Sequence, residues 1–224
     1  SWNAYPVVSL KSGSTTANIF PVAAVDAGGT VYVAWSQQDA GPGGAPAGPI
    51  RLMLSHSLDH GKTWSRPVQV NPKPIGSAVL PWIVAAGRGQ VDLVYVGART
   101  TDNPNDALAT WYVYEARTGN ATAATPSFTT VAAAPTPVRY GQVCVAGIDC
   151  ATQGDDGRSL LDFISVDLDS HGCSYVAIPS SANQAAYPSK ANMVTQTLIA
   201  KQTSGCFSAT HAAAAVRTSR RRRR

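Results

Sequence analysis

The sequence predicts an all-β protein made of repeated antiparallel sheets, and its composition is the first reason. Among 224 residues Glu occurs once and Lys five times, whereas Ala, Val, Thr, Ser, Gly and Pro are abundant. Residues that favour long surface helices are therefore scarce. Residues that suit strands and tight turns are plentiful. No apolar run approaches the ~20 residues of a membrane-spanning helix, so no membrane span is expected.

A repeated hairpin is the second reason. Three segments share one layout, in which an apolar strand, a short Gly-containing turn and an alternating strand follow one another. This order predicts a β-hairpin in each segment. The three hairpins and their turns are 19–37 with 26–29, 79–97 with 87–90, and 159–178 with 169–172.

Further strands follow each hairpin after a loop. Third strands are predicted at 50–57, 110–117 and 193–202, and fourth strands at 66–71 and 128–134. The third unit shows no convincing fourth strand. Repetition of four-stranded antiparallel sheets is typical of the blades of a β-propeller. A β-sandwich is the alternative, because it also combines many short strands with turn signals.

One turn carries a specific motif. "SHSLDHGKTW" places Ser57, Asp59, Gly61, Thr63 and Trp64 in the pattern S-x-D-x-G-x-T-W between two predicted strands. Asp can accept hydrogen bonds from turn N–H groups, Gly permits a positive φ, and Trp can fold back as an apolar plug. The motif resembles the Asp-box of sialidase-type (BNR-repeat) propellers of exported bacterial proteins, and the resemblance extends over roughly residues 18–202.

The resemblance has consequences for the architecture. It implies a six-bladed propeller of which this sequence carries about three blades, so the propeller is expected to be incomplete and self-association would be one way to close it. The blades are expected at approximately 15–72, 79–134 and 157–205 within a propeller region 1–207, followed by a disordered Ala/Arg-rich tail, 208–224. In the family the Asp-box is structural and lies away from the sugar pocket.

The resemblance also implies a chemistry. Sialidases use an arginine triad for the substrate carboxylate, a Tyr nucleophile activated by a Glu, and an Asp as acid/base; planar bidentate arginines suit a carboxylate. The segment 138–163 is the richest in such residues. It supplies the catalytic candidates Tyr140, Asp155 and Asp156 and the substrate-binding candidates Arg139, Arg158 and Asp162. A calcium-binding or merely solvated acidic turn is the alternative, and no other cofactor or metal is expected.

Two further candidates lie outside that segment. Arg99 follows a predicted strand and is a substrate-binding candidate, since propellers build sites from loops at strand ends. Glu115 is the sole Glu and a catalytic candidate, but its neighbour Tyr114 points to the opposite face of the strand. A Tyr activated by Glu115 must therefore come from elsewhere, and Tyr140 is one option. An edge-strand Glu in water is the alternative.

The cysteines and charges bound the location and partners. Cys144, Cys150, Cys173 and Cys206 predict two disulfides and an exported, extracellular bacterial protein, with a zinc site as the alternative. The net charge of +5 comes from the run 220–224, without which acidic and basic residues balance. Nucleic acid is therefore an expected partner only through that tail.

Three functional hypotheses follow. The first is a sialidase-like exo-glycosidase, or a fragment of one, acting on extracellular glycans or glycoconjugates. The second is a non-catalytic glycan- or protein-binding propeller module. The third is polyanion binding through the arginine tail.

Overall fold

The computed structural model describes residues 1–16, 20–145, 150, 160, 164–182 and 196–207. Within these residues it contains β-strands and no α-helix, which confirms the predicted all-β class. The strands are β1 (Val22–Val25), β2 (Val31–Gln37), β3 (Arg51–Ser57), β4 (Val68–Gln69), β5 (Ser77–Ala85), β6 (Val91–Ala98), β7 (Thr110–Thr118), β8 (Thr129–Ala132), β9 (Arg139–Tyr140), β10 (Ser165–Leu168), β11 (Ser174–Ser180) and β12 (Gln196–Lys201).

Three antiparallel sheets follow one another along the chain. Sheet 1 has the order β1-β2-β3-β4, sheet 2 the order β5-β6-β7-β8, and sheet 3 the order β10-β11-β12. The short strand β9 pairs with the start of β7. Each sheet is a simple meander, as the repeated pattern predicts for propeller blades. Among the described residues sheet 3 has three strands; the number of blades stays a prediction.

The hairpin turns of sheets 1 and 3 share the same local chemistry. Asp26 Oδ1 accepts hydrogen bonds from the backbone N–H groups of Gly28 and Thr30, at 2.8 and 3.0 Å. Asp169 Oδ1 likewise accepts from His171 N and Cys173 N, at 2.8 and 3.0 Å. An Asp side chain that bonds its own following backbone stabilises a tight turn. These two carboxylates therefore fix where the hairpins reverse.

The core consists of two clusters, each between consecutive sheets. β6 lies between both, and all eight of its residues are buried. Leu93 and Tyr95 belong to the cluster shared with sheet 1, whereas Val94 and Val96 belong to the cluster shared with sheet 3. Side chains alternate across a strand, so a continuous apolar run buries both faces of a sheet. Sheet 2 is thus the middle layer of the stack.

The inner strand of sheet 2 has one irregularity. Pairing between β5 and β6 shifts register between Val79 and Trp82. Leu80 lies in this interval with φ of 54°, a left-handed backbone conformation that is uncommon for a non-glycine residue. A bulge of this kind re-aims the following side chains. Trp82 is accordingly among the exposed large apolar residues.

The stack has two distinct ends. The turn end carries the hairpin turns, where Ala27 N donates to Ala86 O at 3.1 Å and joins sheets 1 and 2. The loop end carries the connections β2–β3 and β6–β7, and a parallel bridge between Ile50 and Ser77 joins the same two sheets there. β3 begins at the loop end and finishes at the turn end, where the S-x-D-x-G-x-T-W motif follows it.

Candidate functional site

The five motif residues form a self-contained turn after β3. Ser57 Oγ accepts a hydrogen bond from Gly61 N and donates one to Asp59 Oδ1, both at 2.8 Å. Asp59 also accepts from Thr63 N and from Thr63 Oγ1, at 2.8 and 2.7 Å. Trp64 Nε1 donates to Gly61 O at 3.1 Å, while Gly61 has a φ of 86°. The polar side chains of the motif are therefore hydrogen-bonded to one another and to the backbone of the same turn.

The same contacts control the acidity of the motif carboxylate. The Thr63 backbone N–H, the Thr63 hydroxyl and the Ser57 hydroxyl lower the pKa of Asp59 to about 2. A carboxylate that accepts several hydrogen bonds is stabilised in its charged form. Such a group is poorly suited to donate a proton near neutral pH. The motif therefore directs the search for chemistry to the other end of the sheets.

The loop end of sheet 2 gathers three of the predicted site residues. Arg99 follows β6 directly, is exposed, and has its Cζ 5.6 Å from the centre of the Tyr114 ring. Arg139 and Tyr140 form β9, which pairs with Trp111 and Thr110 at the start of β7. Tyr140 is 38% exposed. The strand directions thus bring one exposed arginine and one exposed tyrosine to the same end of one sheet.

Arg139, predicted from the sequence to bind substrate, differs from Arg99 and Tyr140 because it is fully buried, at 0% exposure, and so presents no surface to a ligand. Its Nε donates to Gln142 O at 2.7 Å, and its Nη1 lies 3.5 Å from Ser181 Oγ. The adjacent backbone is held as well, since Trp111 Nε1 donates to Gly141 O at 2.7 Å. The guanidinium thereby ties the strand that carries Tyr140 to the body of the protein.

Two disulfides confirm the predicted use of all four cysteines. Cys144–Cys150 closes a loop of six residues' separation beyond β9, and Cys150 is buried. Cys173–Cys206 joins the hairpin turn of sheet 3 to the segment after β12. Disulfides of this kind persist in oxidising compartments. The predicted residues Asp155, Asp156, Arg158 and Asp162 lie outside the described residues.

Glu115, the remaining catalytic candidate within the described residues, does not lie at the loop end. It is in β7, five residues from Thr110, the residue that pairs with Tyr140. Five residues of a strand span roughly 17 Å, so the structure does not bring Glu115 and Tyr140 together. The alternative of an edge-strand Glu in water is also wrong. β7 is flanked by β6 and β8, and Glu115 is 7% exposed.

Glu115 instead belongs to a buried charged cluster that the sequence analysis did not identify. On the same face of sheet 2, Arg117 donates from Nε and Nη2 to Asp92 Oδ2, at 3.1 and 2.5 Å. Ser174 of sheet 3 donates to the same Asp92 oxygen and accepts from Arg117 Nη2 at 2.6 Å. The only hint in the sequence is one Asp within the apolar strand "VDLVYV".

The environment of Asp92 changes its acidity. Burial raises the pKa of Asp92 to about 7, and the nearby Glu115 carboxylate adds to the rise. Arg117 and the Ser174 hydroxyl oppose it. A buried carboxylate with a second carboxylate nearby resists ionisation for both reasons. The cluster therefore holds a proton more readily than an exposed aspartate does.

Across the part of the chain that the structure describes, no three His, Cys, Asp or Glu side chains are grouped so that they would hold a metal ion. Within the same residues no helix has the length and apolar character needed to cross a membrane.

Comparison with known proteins gives structural likeness only. No family model matches the sequence, and no curated protein does. A protein of unknown function from Dyadobacter fermentans superposes with a TM-score of 0.54 at 14% identity, over 88% of this chain and 53% of that one. The Hadza microbial sialidase Hz136 gives a TM-score of 0.41 at 12% identity, over 88% and 34%. A Trypanosoma rangeli sialidase mutant displaying trans-sialidase activity gives 0.40 at 12%, over 83% and 30%.

Of these three likenesses the first, with a TM-score above 0.5, bears on the fold, and none of the three bears on the chemistry. The chain spans about half the length of the Dyadobacter protein and about a third of each sialidase. Fold similarity at such identities does not transfer an activity, because functions reside in sites placed on shared folds. The Dyadobacter protein shows that a similar fold occurs in a solved structure.

Proposed function

We propose that the protein is an exported, sialidase-like glycoside hydrolase module whose substrate site is at the loop end. The observation that carries the proposal is the position of Arg99 and Tyr140 at the end of sheet 2 opposite the motif turn that follows β3. In the sialidase-type propellers that the motif resembles, this turn lies away from the sugar pocket. The loop end is therefore where a substrate would bind.

Residue roles follow from exposure and side-chain chemistry. Exposed Arg99 holds a substrate carboxylate, because a guanidinium presents paired donors to a planar anion. Tyr140 is the nucleophile, which avoids an anionic attacking group beside a negatively charged sugar. Buried Arg139 positions Tyr140 through its bond to Gln142 O. Asp155 or Asp156 acts as acid/base, with Arg158 and Asp162 binding substrate.

The test is release of 4-methylumbelliferone from its sialoside and from neutral glycosides. Tyr140→Phe is expected to lower kcat at least 100-fold, because it removes the nucleophilic oxygen. Arg99→Ala is expected to raise KM for the sialoside at least tenfold. Tyr175→Phe and Arg88→Ala remove the same groups beside the hairpin turns at the other end of the sheets, and should act as wild type. Absence of release from every substrate contradicts hydrolysis.

A second candidate is a glycan-binding module without hydrolysis. The observation that favours it is the separation of Glu115 from Tyr140, which leaves the tyrosine without the activating glutamate of the family scheme. In this case sialosides bind the full chain, Arg99→Ala weakens the binding, and no sugar is released. Calorimetry with a sialoside, followed by analysis of the same sample for free sugar, separates binding from hydrolysis.

A further inference from the structure

A cleft between sheets 2 and 3 lies at the turn end, far from the loop-end residues. Its walls come from β7 and β8 on one side, and from β11, β12 and the segment 202–207 on the other. The volume is about 720 Å³. Sites for small organic ligands typically measure ~300–1,000 Å³, so the cleft is of suitable size.

The floor of the cleft is a fixed guanidinium. Arg117 reaches Asp92 from sheet 2, and its Nη1 donates to Gly205 O at 2.7 Å. Its Cζ also lies 4.1 Å from the centre of the Phe207 ring. Bonds to both walls leave this side chain little freedom. A polar floor that is held rigid before a ligand arrives reduces the entropic cost of binding.

Beside the guanidinium, Glu115 offers an unused acceptor. Its Oε1 is buried and accepts no hydrogen bond, and Arg117 Nη2 is 3.7 Å away. Asp92 Oδ1, behind the floor, is also buried and accepts no hydrogen bond. Buried carboxylate oxygens without donors are costly, and each such group in a folded protein calls for an explanation. Glu115 also lines the cleft and 9% of its side chain is exposed, so a ligand hydroxyl would bond Oε2, the oxygen of this carboxylate that is open to the cleft.

The charges of the cleft indicate which ligand would supply that hydroxyl. Within the cleft the Glu115 carboxylate lies beside the Arg117 guanidinium, which is also paired with Asp92. The Lys201 ammonium lies over the Tyr175 ring, on the face of sheet 3 opposite Val176 and Ala200. An anionic ligand would meet Glu115, whereas a metal cation would meet Arg117. Val131, Val176 and Ala200 supply apolar surface between these polar groups. The balance favours an uncharged molecule that has hydroxyl donors and an apolar face.

We propose that this cleft is a binding site for a neutral saccharide, separate from the loop-end site and independent of hydrolysis there. Glu115 accepts hydrogen bonds from sugar hydroxyls, while the C–H face of the ring packs against Val176 and Ala200. The polar rim at Gln202 and Thr203 contacts the remaining hydroxyls. Combinations of hydroxyl-binding carboxylates with apolar walls are typical of polar small-ligand sites.

The test is isothermal titration of the full chain with lactose, maltose and cellobiose, alongside N-acetylneuraminic acid and glucosamine. At least one neutral disaccharide is expected to bind. Glu115→Gln should weaken that binding at least tenfold, because the amide donates where the sugar donates. Ala200→Trp should abolish it by filling the cleft from the opposite wall without touching the buried charges. Asp39→Asn, an exposed carboxylate change at the loop end, should leave it unaltered.

Several outcomes would overturn the proposal. These are absence of binding by all three disaccharides, wild-type binding by both cleft variants, or tighter binding of a charged sugar that Ala200→Trp abolishes. Thermal unfolding of each variant identifies loss of fold, and Ala200→Trp keeps the test informative if Glu115→Gln does not fold. Tyr140→Phe should abolish hydrolysis and leave disaccharide binding intact, so failure here is distinguishable from failure of the proposed hydrolytic function.

Discussion

Replacement of Arg117 by Met should destabilise the protein in a pH-dependent way. Met keeps an unbranched stem against Phe207 but removes the charge that faces Asp92. Asp92 is 0% exposed, and removing one partner of a buried ion pair costs about 3–5 kcal/mol. That cost applies when Asp92 is ionised. Protonation of Asp92 relieves it, so the loss should shrink in acid.

The sign follows from the pKa of Asp92. Burial and Glu115 raise it from 3.8 to about 7 in the folded protein. The folded state therefore binds the proton more tightly than the unfolded state, and this group's contribution to stability falls as pH rises from about 4 to about 7. Arg117 lowers that pKa, so its removal raises the pKa further and deepens the loss at alkaline pH.

Urea unfolding at pH 5 and pH 8 measures the effect. We expect Arg117→Met to lose more free energy of unfolding at pH 8 than at pH 5, and the double variant with Asp92→Asn to recover most of the difference. Asp39→Asn is the matched control, because that carboxylate is 54% exposed in its pair with Arg51, and exposed pairs contribute about 0–1 kcal/mol. Equal losses at both pH values, or a double variant no more stable than Arg117→Met at pH 8, would refute the reasoning.

Three further outcomes are expected. Thr63→Val should raise the pKa of Asp59 from about 2 toward its usual range, and NMR titration of the carboxyl measures this change. In the wild type, the stability that Asp59 contributes is present above pH 4 and is lost as pH falls through about 2. Replacing Cys173 and Cys206 by Ser should cost about 4 kcal/mol in urea unfolding, against about 2 kcal/mol for Cys144 and Cys150, because the loops span 33 and 6 residues; equal costs would contradict this. Deleting 220–224 should abolish heparin binding, and retained binding would exclude a role for the arginine tail.

The strands and turns were predictable because their causes are local. Asp26 and Asp169 each accept hydrogen bonds from backbone N–H groups two and four residues onward. Five consecutive residues therefore determine each turn. The motif at Ser57 is equally local, with every bond within four residues. Alternation of apolar residues then assigned the strands on either side of these turns.

The charged cluster was not predictable because its partners are distant in sequence. Arg117 is 25 residues from Asp92, and Ser174 is 82 residues from Asp92. Strand alternation correctly placed Glu115 and Tyr114 on opposite faces of β7. It says nothing about whether another sheet covers a face. Burial of Glu115 depends on sheet 3, whose position along the stack no pattern within β7 reveals.

The two proposed sites, at the loop end and in the cleft, are at opposite ends of one strand, so a change in one is expected to leave the other unaltered. β7 starts beside Tyr140 and ends at the Arg117 cleft, and β6 and β8 hold it on both sides. Sites more than about 7–10 Å apart that share no partner are expected to vary independently. A tyrosine change that altered saccharide binding in the cleft would therefore indicate movement of β7 itself, not a shared site.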